Sequence, residues 1–188
     1  MPDLKARHQN RKHILALDAM GGDNAPYSVL AGAALFAKTN QNVDFLFFGD
    51  SAKLTPIFNK FPILANRATI EHTEDFIAAE EKPSTALRRG KKSSMRLAIE
   101  AVKEGKADAV VSAGNTGALM IMSKLILKTL DGIDRPAIGT IIPTKIGSSL
   151  LLDMGANSAC DAENLVQFSI MGDAFAKAAL AKESPSIG

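Results

Sequence analysis

Residues 109–122 read A-V-V-S-A-G-N-T-G-A-L-M-I-M, and no other stretch limits the folds open to this chain so strongly. Ala109, Val110 and Val111 close a short apolar run of the kind that fills a buried strand. Ser112 to Gly117 are small and polar, as a tight turn requires, and strong helix formers follow from Ala118. Strand, small-residue turn and helix, in that order, is how an α/β protein presents backbone N–H groups to an anion. The small residues let a ligand reach the main chain, and the helix start adds orphan donors and the positive end of its dipole. The stretch predicts a phosphate or carboxylate site without naming a reaction.

Units of the same kind recur along the chain. Ile14 to Leu17 is apolar and ends at Asp18, followed by A-M-G-G-D; Asn24 and Pro26 suit the start of a helix over Tyr27 to Lys38. Val43 to Phe48 reads as a second strand, Gly49-Asp50-Ser51 as a turn, Ala52 to Lys60 as a helix, and Ala68 to His72 as a third strand. Thr73 to Lys92 interrupts the alternation with polar residues, Pro83 and a basic cluster. Ser93 or Ser94 then caps an amphipathic helix whose Met95, Ala98, Ile99 and Val102 recur at helical spacing, with Gly105 past its end. The helix from Gly117 to Thr129 is apolar on nearly every side and is expected to be deeply buried or at a subunit contact. Ala137 to Ile142 and Ser149 to Leu152 read as further strands. A last helix opens at Asp161 or Ala162, with Leu165, Phe168, Phe175 and Ala179 on one face. The alternation predicts an α/β fold with a parallel sheet covered by helices on both sides. Residues 1–12 read as a disordered or tag-like tail and 13–188 as part of one domain. The P-S-I-G at the end stands where another strand would be expected, which suggests a piece of a longer protein.

Composition narrows the chemistry further. With 46% hydrophobic and 22% charged residues the chain is ordinary for a globular protein, and its net charge of +2 gives no reason to expect nucleic acid as a partner. No apolar run approaches the roughly 18 residues of a spanning helix, and the start lacks the apolar core of a secretory signal. Cys160 is the single cysteine, so no intramolecular disulfide can form, a reducing cytoplasm fits, and an incidental thiol is the plain reading. Zinc-type cysteine pairs, a Walker A pattern, a G-x-S-x-G elbow and a G-x-G-x-x-G turn after the first strand are all missing. His8 and His13 sit in the tail or at its edge, and His72 has no evident partner. Such a chain is expected to work by positioning and electrostatics, on a nucleophile that arrives as a substrate.

Three strand ends then carry similar residues: Asp18 with Gly21 and Gly22; Ser112 with Gly114, Asn115, Thr116 and Gly117; and Asp153 with Gly155 and Asn157. Asp and Gly are ordinary turn residues, so each alone is weak. In a doubly wound sheet, however, ligands bind beyond the carboxyl ends of the strands, and if these strands are neighbours the three turns converge on one cleft.

The motifs L-D-A-M-G-G-D at 17–23, K-P-S-T-A-L-R at 82–88, S-S-M-R at 93–96, V-S-A-G-N-T-G-A-L-M at 111–120, G-I-D-R-P-A at 132–137, L-D-M-G-A-N at 152–157 and E-N-L-V-Q-F-S-I-M-G at 163–172 run in the order found in one family. By them the chain resembles the bacterial phosphate acyltransferases of phospholipid synthesis, the PlsX family, over essentially everything after Arg11. The resemblance implies a three-layer α/β/α sandwich with a mostly parallel sheet, similar to phosphotransacetylases and isocitrate dehydrogenase, of which this chain would be the N-terminal portion. It implies transfer of a long-chain acyl group from acyl carrier protein to inorganic phosphate, giving acyl phosphate. It further implies a homodimer without cofactor or metal, cytoplasmic and peripherally associated with the membrane.

On that reading Ser112 to Gly117 is the phosphate cradle, with Asn115 and Thr116 adding side-chain donors and Asn115 the candidate catalytic residue within this chain, others being expected in the missing half. Asp18 and Asp153 either contact substrate or orient donors and brace the glycine turns. Arg88, Arg89, Lys91 and Lys92 are either a solvated face or a landing patch for the acidic carrier protein. Two alternatives remain beside this one: a phosphotransacylase that uses acyl-CoA, and a fragment that binds ligand or dimerises without activity.

Overall fold

The computed structural model describes residues 12–145, 147–157 and 159–188. Of the expected tail only Lys12 falls among them, and its ammonium pairs with Asp44 at 3.0 Å. The chain divides into two compact units, residues 1–127 and 128–188.

The first unit is built on a parallel sheet of β1 (His13–Asp18), β2 (Val43–Gly49), β3 (Ala68–His72) and β4 (Ala109–Val111), in the spatial order β3-β2-β1-β4. Strand alternation sorts the core into two faces. Leu15, Leu17, Phe45 and Phe47 turn toward α1 (Tyr27–Thr39) and α2 (Ser51–Phe58), where they meet Leu30, Ala34, Ala37 and Leu54. Ile14, Ala16, Leu46 and Phe48 turn the other way, onto Ala98 and Ala101 of α4 (Ser94–Lys103). Small alanines on the helices let them lie close to strands carrying bulky Phe and Leu. Each fully buried large side chain, such as Phe47 or Leu54, contributes about 1.5–3 kcal/mol. The expected arrangement of a parallel sheet between helical layers is therefore present.

Two local expectations change. The stretch after Thr73, expected to break the rhythm, contains a short helix, α3 (Pro83–Arg89), with Pro83 at its first turn and Gly90 at its end. α5 (Thr116–Leu127) is not buried all round: Ala118, Met122 and Ile126 form one stripe against Met95 and Ile99 of α4, and Leu125 is 53% exposed. Hydrophobicity alone did not decide which side faces inward, because every side offered an apolar residue.

The second unit corrects the continuation of the parallel pattern. β5 (Gly139–Thr144) and β6 (Gly147–Leu152) pair antiparallel with each other. Only residues 145 and 146 join them, whereas a parallel connection needs a dozen residues or more, so a hairpin is the geometry available. Gly147 at φ +145° enters the second strand from this turn. α6 (Ala162–Leu180) opens on a capping box in which Asp161 accepts from the Asn164 backbone and the Asn164 side chain from that of Asp161. Its buried residues are Asn164, Gln167, Phe168 and Ala176, while Leu165 and Phe175, expected to share the inner face, are 58% and 47% exposed. Gln167 faces inward because both ends of its amide are satisfied: Asp134 N–H donates to it at 2.9 Å and it donates to the Asp134 carboxyl at 2.8 Å. Among the described residues no helix is long and apolar enough to cross a membrane.

Candidate functional site

In the strand order β3-β2-β1-β4, the chain runs outward from β1 through β2 to β3 and then returns to the other side of β1 as β4. The reversal lies between β1 and β4, the position where open α/β sheets leave a crevice beyond their carboxyl ends. The register pairs Leu17 with Val111, so Asp18 and Ser112 leave the sheet side by side. Two of the three predicted turns thus meet at the switch point of one sheet.

What holds them is a buried carboxyl group. Asp18 is 2% exposed, and each of its oxygens accepts a hydroxyl: Ser94 Oγ donates to Oδ1 at 2.6 Å and Ser112 Oγ to Oδ2 at 2.7 Å. Ser112 Oγ in turn accepts the Gly114 N–H at 3.1 Å. The two glycine turns nest against each other. A Cβ on Gly21 would stand 2.4 Å from Asp18 Oδ2 and 3.1 Å from Gly114 Cα. Gly22, at φ +108°, passes the Ala113 carbonyl so closely that a Cβ would lie 3.1 Å from its oxygen.

The far side of the loop is lashed to the segment before α3. Asn115 Nδ2 donates to the carbonyls of Ala78, Ala79 and Glu81, the shortest at 2.7 Å. Its Oδ1 accepts the Ala118 N–H at 2.9 Å, in the manner of a helix cap. Both polar ends of Asn115 are therefore spent on the loop itself, and the expectation that it adds a side-chain donor to a ligand has no free group behind it. Gly117 packs on Pro83, whose Cγ would be 2.7 Å from a Cβ there. Thr116 is exposed at the first position of α5. Among the described residues the N–H groups of Thr116 and Gly117 have no acceptor, so the donors this loop offers are those of the main chain at a helix start.

Ser94 is the member of this constellation that sequence reasoning missed. The pair Ser93-Ser94 signals a helix cap, and Ser93 does that work by accepting the Arg96 N–H. Nothing local marks the second serine as the one that turns into the sheet. His72 also gains a partner not foreseen: its Nδ1 accepts the Ser51 N–H at 3.2 Å and lies 2.9 Å from Ser51 Oγ. Arg88, Arg89, Lys91 and Lys92 are all exposed at the end of α3 and in the turn after it. Cys160 is exposed.

The third predicted turn belongs to the second unit. There Asp153 Oδ1 accepts the Ile138 N–H at 2.8 Å, and Oδ2 accepts the Asn157 N–H at 2.8 Å and its side-chain amide at 3.1 Å. Asn157 also donates to the Pro136 carbonyl, and Gly155 turns the chain at φ +82°. Burial pushes the Asp153 carboxyl up, but hydrogen bonds from the Ile138 and Asn157 backbones, the Asn157 amide and the Ala156 backbone outweigh it and hold the group below its ordinary value of 3.8. A depressed pKa gives stability that is present above the ordinary value and lost as pH falls through the folded one. Asp153→Asn should therefore flatten the acid limb of stability below about pH 4, read by thermal unfolding across pH 2–6. An acid limb identical to the parent's would show that the group does not stabilise the turn through its charge.

Against known proteins, the sequence profile described as "Fatty acid synthesis protein" matches residues 14–188. A Rhodospirillum centenum protein named phosphate acyltransferase is 54% identical over 179 residues, which cover 95% of this chain and 50% of that protein. Proteins of the same name from Rhodospirillum rubrum (51% over 175 residues, 93% of this chain and 50% of the relative) and Wolbachia pipientis wMel (49% over 182 residues, 95% and 53%) are similar to it throughout the same extent. This chain spans about half the length of the curated relatives it matches. A match over residues 14–188 joins the parallel sheet, the Asp18–Ser112 crossing and the Asp153 turn in one inheritance: the chain belongs to the fatty acid synthesis protein family, the PlsX family of phosphate acyltransferases.

Proposed function

We propose that this chain supplies the phosphate-binding wall of an enzyme that transfers a long-chain acyl group from acyl carrier protein to inorganic phosphate. The observation that carries the reading is the pairing of the Asp18 and Ser112 turns at the switch point of the sheet, with the start of α5 beyond them. Inorganic phosphate is its own nucleophile, so the site needs no activated Ser or Cys. It must hold an anion against a thioester carbonyl and steady the oxyanion that forms, and main-chain N–H groups at Thr116 and Gly117 are suited to both. Asp18 and Ser112 serve by bracing: their polar atoms satisfy one another and Gly114, and the glycines at 21, 22, 114 and 117 let the two turns and Pro83 pack closely enough to hold the loop in place. Asn115 fixes the loop to residues 78–81. Asp153 and Asn157 shape a second turn whose part in the reaction is structural support. The products are acyl phosphate and free carrier protein; the whole protein works as a homodimer in the cytoplasm, peripherally on the membrane.

The deciding assay mixes acyl carrier protein thioester with phosphate and traps acyl phosphate as the hydroxamate, using this chain and the full-length protein that contains it. Acyl phosphate from the full-length protein supports the reading, and product from this chain as well places the whole catalytic apparatus within these 188 residues. Turnover of acyl-CoA in preference to the carrier thioester would replace the donor. Absence of product from both donors at full length would sink the function.

The exposed Arg88, Arg89, Lys91 and Lys92 supply the donor side of the proposal, since a carrier protein is acidic and rim charges steer encounter. Arg88→Glu together with Arg89→Glu should raise the KM for carrier thioester by roughly 10-fold and make turnover less salt-dependent, with phosphate KM nearly unchanged. Equal losses toward both substrates would assign the patch to structure instead.

A further inference from the structure

We propose that Ser94 is a positioning residue for the anion: through Asp18 and Ser112 it sets the conformation of the β4–α5 loop and hence the affinity of that loop for phosphate. The inference rests on the reading of this loop as the phosphate cradle. Ser94 lies in the first turn of α4, fully buried, and 76 residues away in sequence from the group it touches. Its hydroxyl is not needed by the helix that carries it. Ser93 caps α4 by accepting the Arg96 N–H at 3.3 Å while donating to the Gly90 carbonyl at 2.8 Å, and the Ser94 backbone N–H is satisfied by the Asp75 carbonyl at 2.9 Å. The Ser94 side chain is thus free to serve Asp18 alone.

A hydroxyl has one hydrogen, and the chain of bonds follows from that. Ser94 gives its hydrogen to Asp18 Oδ1, which fixes the rotation of the carboxyl group. Oδ2 is then aimed at Ser112, which gives its own hydrogen there and is left with lone pairs only, one of which takes the Gly114 N–H. The direction of the main chain from Ser112 to Gly114 is fixed in this way, immediately before the N–H groups of Thr116 and Gly117. Asp18 Oδ2 and Gly114 both lie against the side of Gly21 that lacks a Cβ, so a rotation of the carboxyl is felt directly where the two turns touch. Without the Ser94 hydroxyl, Asp18 is held from one side only and can rotate, and the loop loses the constraint that aligns its donors. Such alignment is worth little to the fold and much to a ligand bound by several donors at once.

The test uses the full-length protein and two readouts: the Kd of inorganic phosphate by calorimetry, and kcat and KM for phosphate with carrier thioester. Ser94→Ala should weaken phosphate binding by roughly 10- to 100-fold and raise KM in step, with the KM for carrier thioester unmoved. Ser94→Thr, which keeps the hydroxyl, should stay within about threefold of the parent. Ser93→Ala is the control: it removes the cap of α4 and should lower Tm while leaving phosphate Kd unchanged. If Ser94→Ala does not fold, Ser94→Cys, with a weak donor at similar volume, takes its place with the same expectation. A phosphate Kd in Ser94→Ala equal to the parent's, or a Ser93→Ala protein as weak as Ser94→Ala, overturns the proposal. A parent that binds phosphate yet forms no acyl phosphate defeats the proposed reaction and leaves the Kd comparison to decide on Ser94. A parent that does not bind phosphate defeats both.

Discussion

Gly21→Ala should both destabilise the first unit and slow the proposed reaction. The added Cβ would stand 2.4 Å from Asp18 Oδ2, 3.0 Å from its Cγ and 3.1 Å from Gly114 Cα. Relief by moving Asp18 is closed, because Ser94 and Ser112 hold both of its oxygens in a buried site. Relief by moving Gly114 is closed too, because its N–H is tied to Ser112 and the next residue is bonded to three carbonyls of residues 78–81. The clash is therefore paid for by separating the β1 and β4 turns. Overpacking of this kind costs about 1–3 kcal/mol, and a displacement near 1 Å at a reacting site costs roughly 100-fold in rate. Thermal unfolding of the variant and acyl phosphate formation by the full-length protein measure the two effects. Gly32→Ala is the matched comparison: Gly32 sits within α1, a Cβ there meets nothing within 4 Å, and the change should stabilise by about 0.5–1 kcal/mol. A Gly21→Ala protein as stable and active as Gly32→Ala would show that the two turns are not pressed together in solution.

Much of this site is legible in the amino-acid sequence. Short continuous apolar runs ending at Asp18 and Ser112, each followed by small residues and a helix, give the strand ends and the anion-type loop directly. Their adjacency was not readable, since Asp18 and Ser112 are 94 residues apart and only the strand order β3-β2-β1-β4 makes them neighbours. The two serines of S-S-M-R divide their roles by burial, which local pattern does not encode. Asn115 carried a usable signal: a side-chain acceptor three residues before Ala118, just ahead of a helical run, is a cap signature as well as a ligand signature, and the bonds made are those of the cap. The antiparallel pairing of β5 and β6 departs from the parallel order expected of them, and the shortness of their connection is the signal that could have shown it. The inner face of α6 was not legible, because Gln167 is buried through a bond to Asp134, a tertiary partner that no helical period announces.

Asp18→Asn should separate the shape of the central side chain from its capacity to accept. The native group receives two hydroxyl hydrogens, one on each oxygen. The amide has a single acceptor oxygen and presents a donor on the other side. If the amide nitrogen faces Ser112, that hydroxyl already accepts the Gly114 N–H and its hydrogen has nowhere to go. If it faces Ser94, the fully buried Ser94 hydroxyl loses its acceptor. Either rotamer leaves one hydroxyl hydrogen without its acceptor, fully buried at Ser94 and part-buried at Ser112, which costs about 1–3 kcal/mol, with the Ser112 case toward the lower end. Asp18→Ala strands both hydroxyls and opens a void between β1 and β4, so its cost should be larger, on the order of 3–5 kcal/mol. Combining Asp18→Asn with Ser112→Ala removes one of the stranded hydrogens, and the pair should couple by roughly 0.5–3 kcal/mol in a double-mutant cycle. Urea unfolding of the four proteins gives the coupling energy. Strict additivity would mean that the Asp18–Ser112 bond is not made, and with it would go the bracing of the β4–α5 loop on which the proposed phosphate site depends.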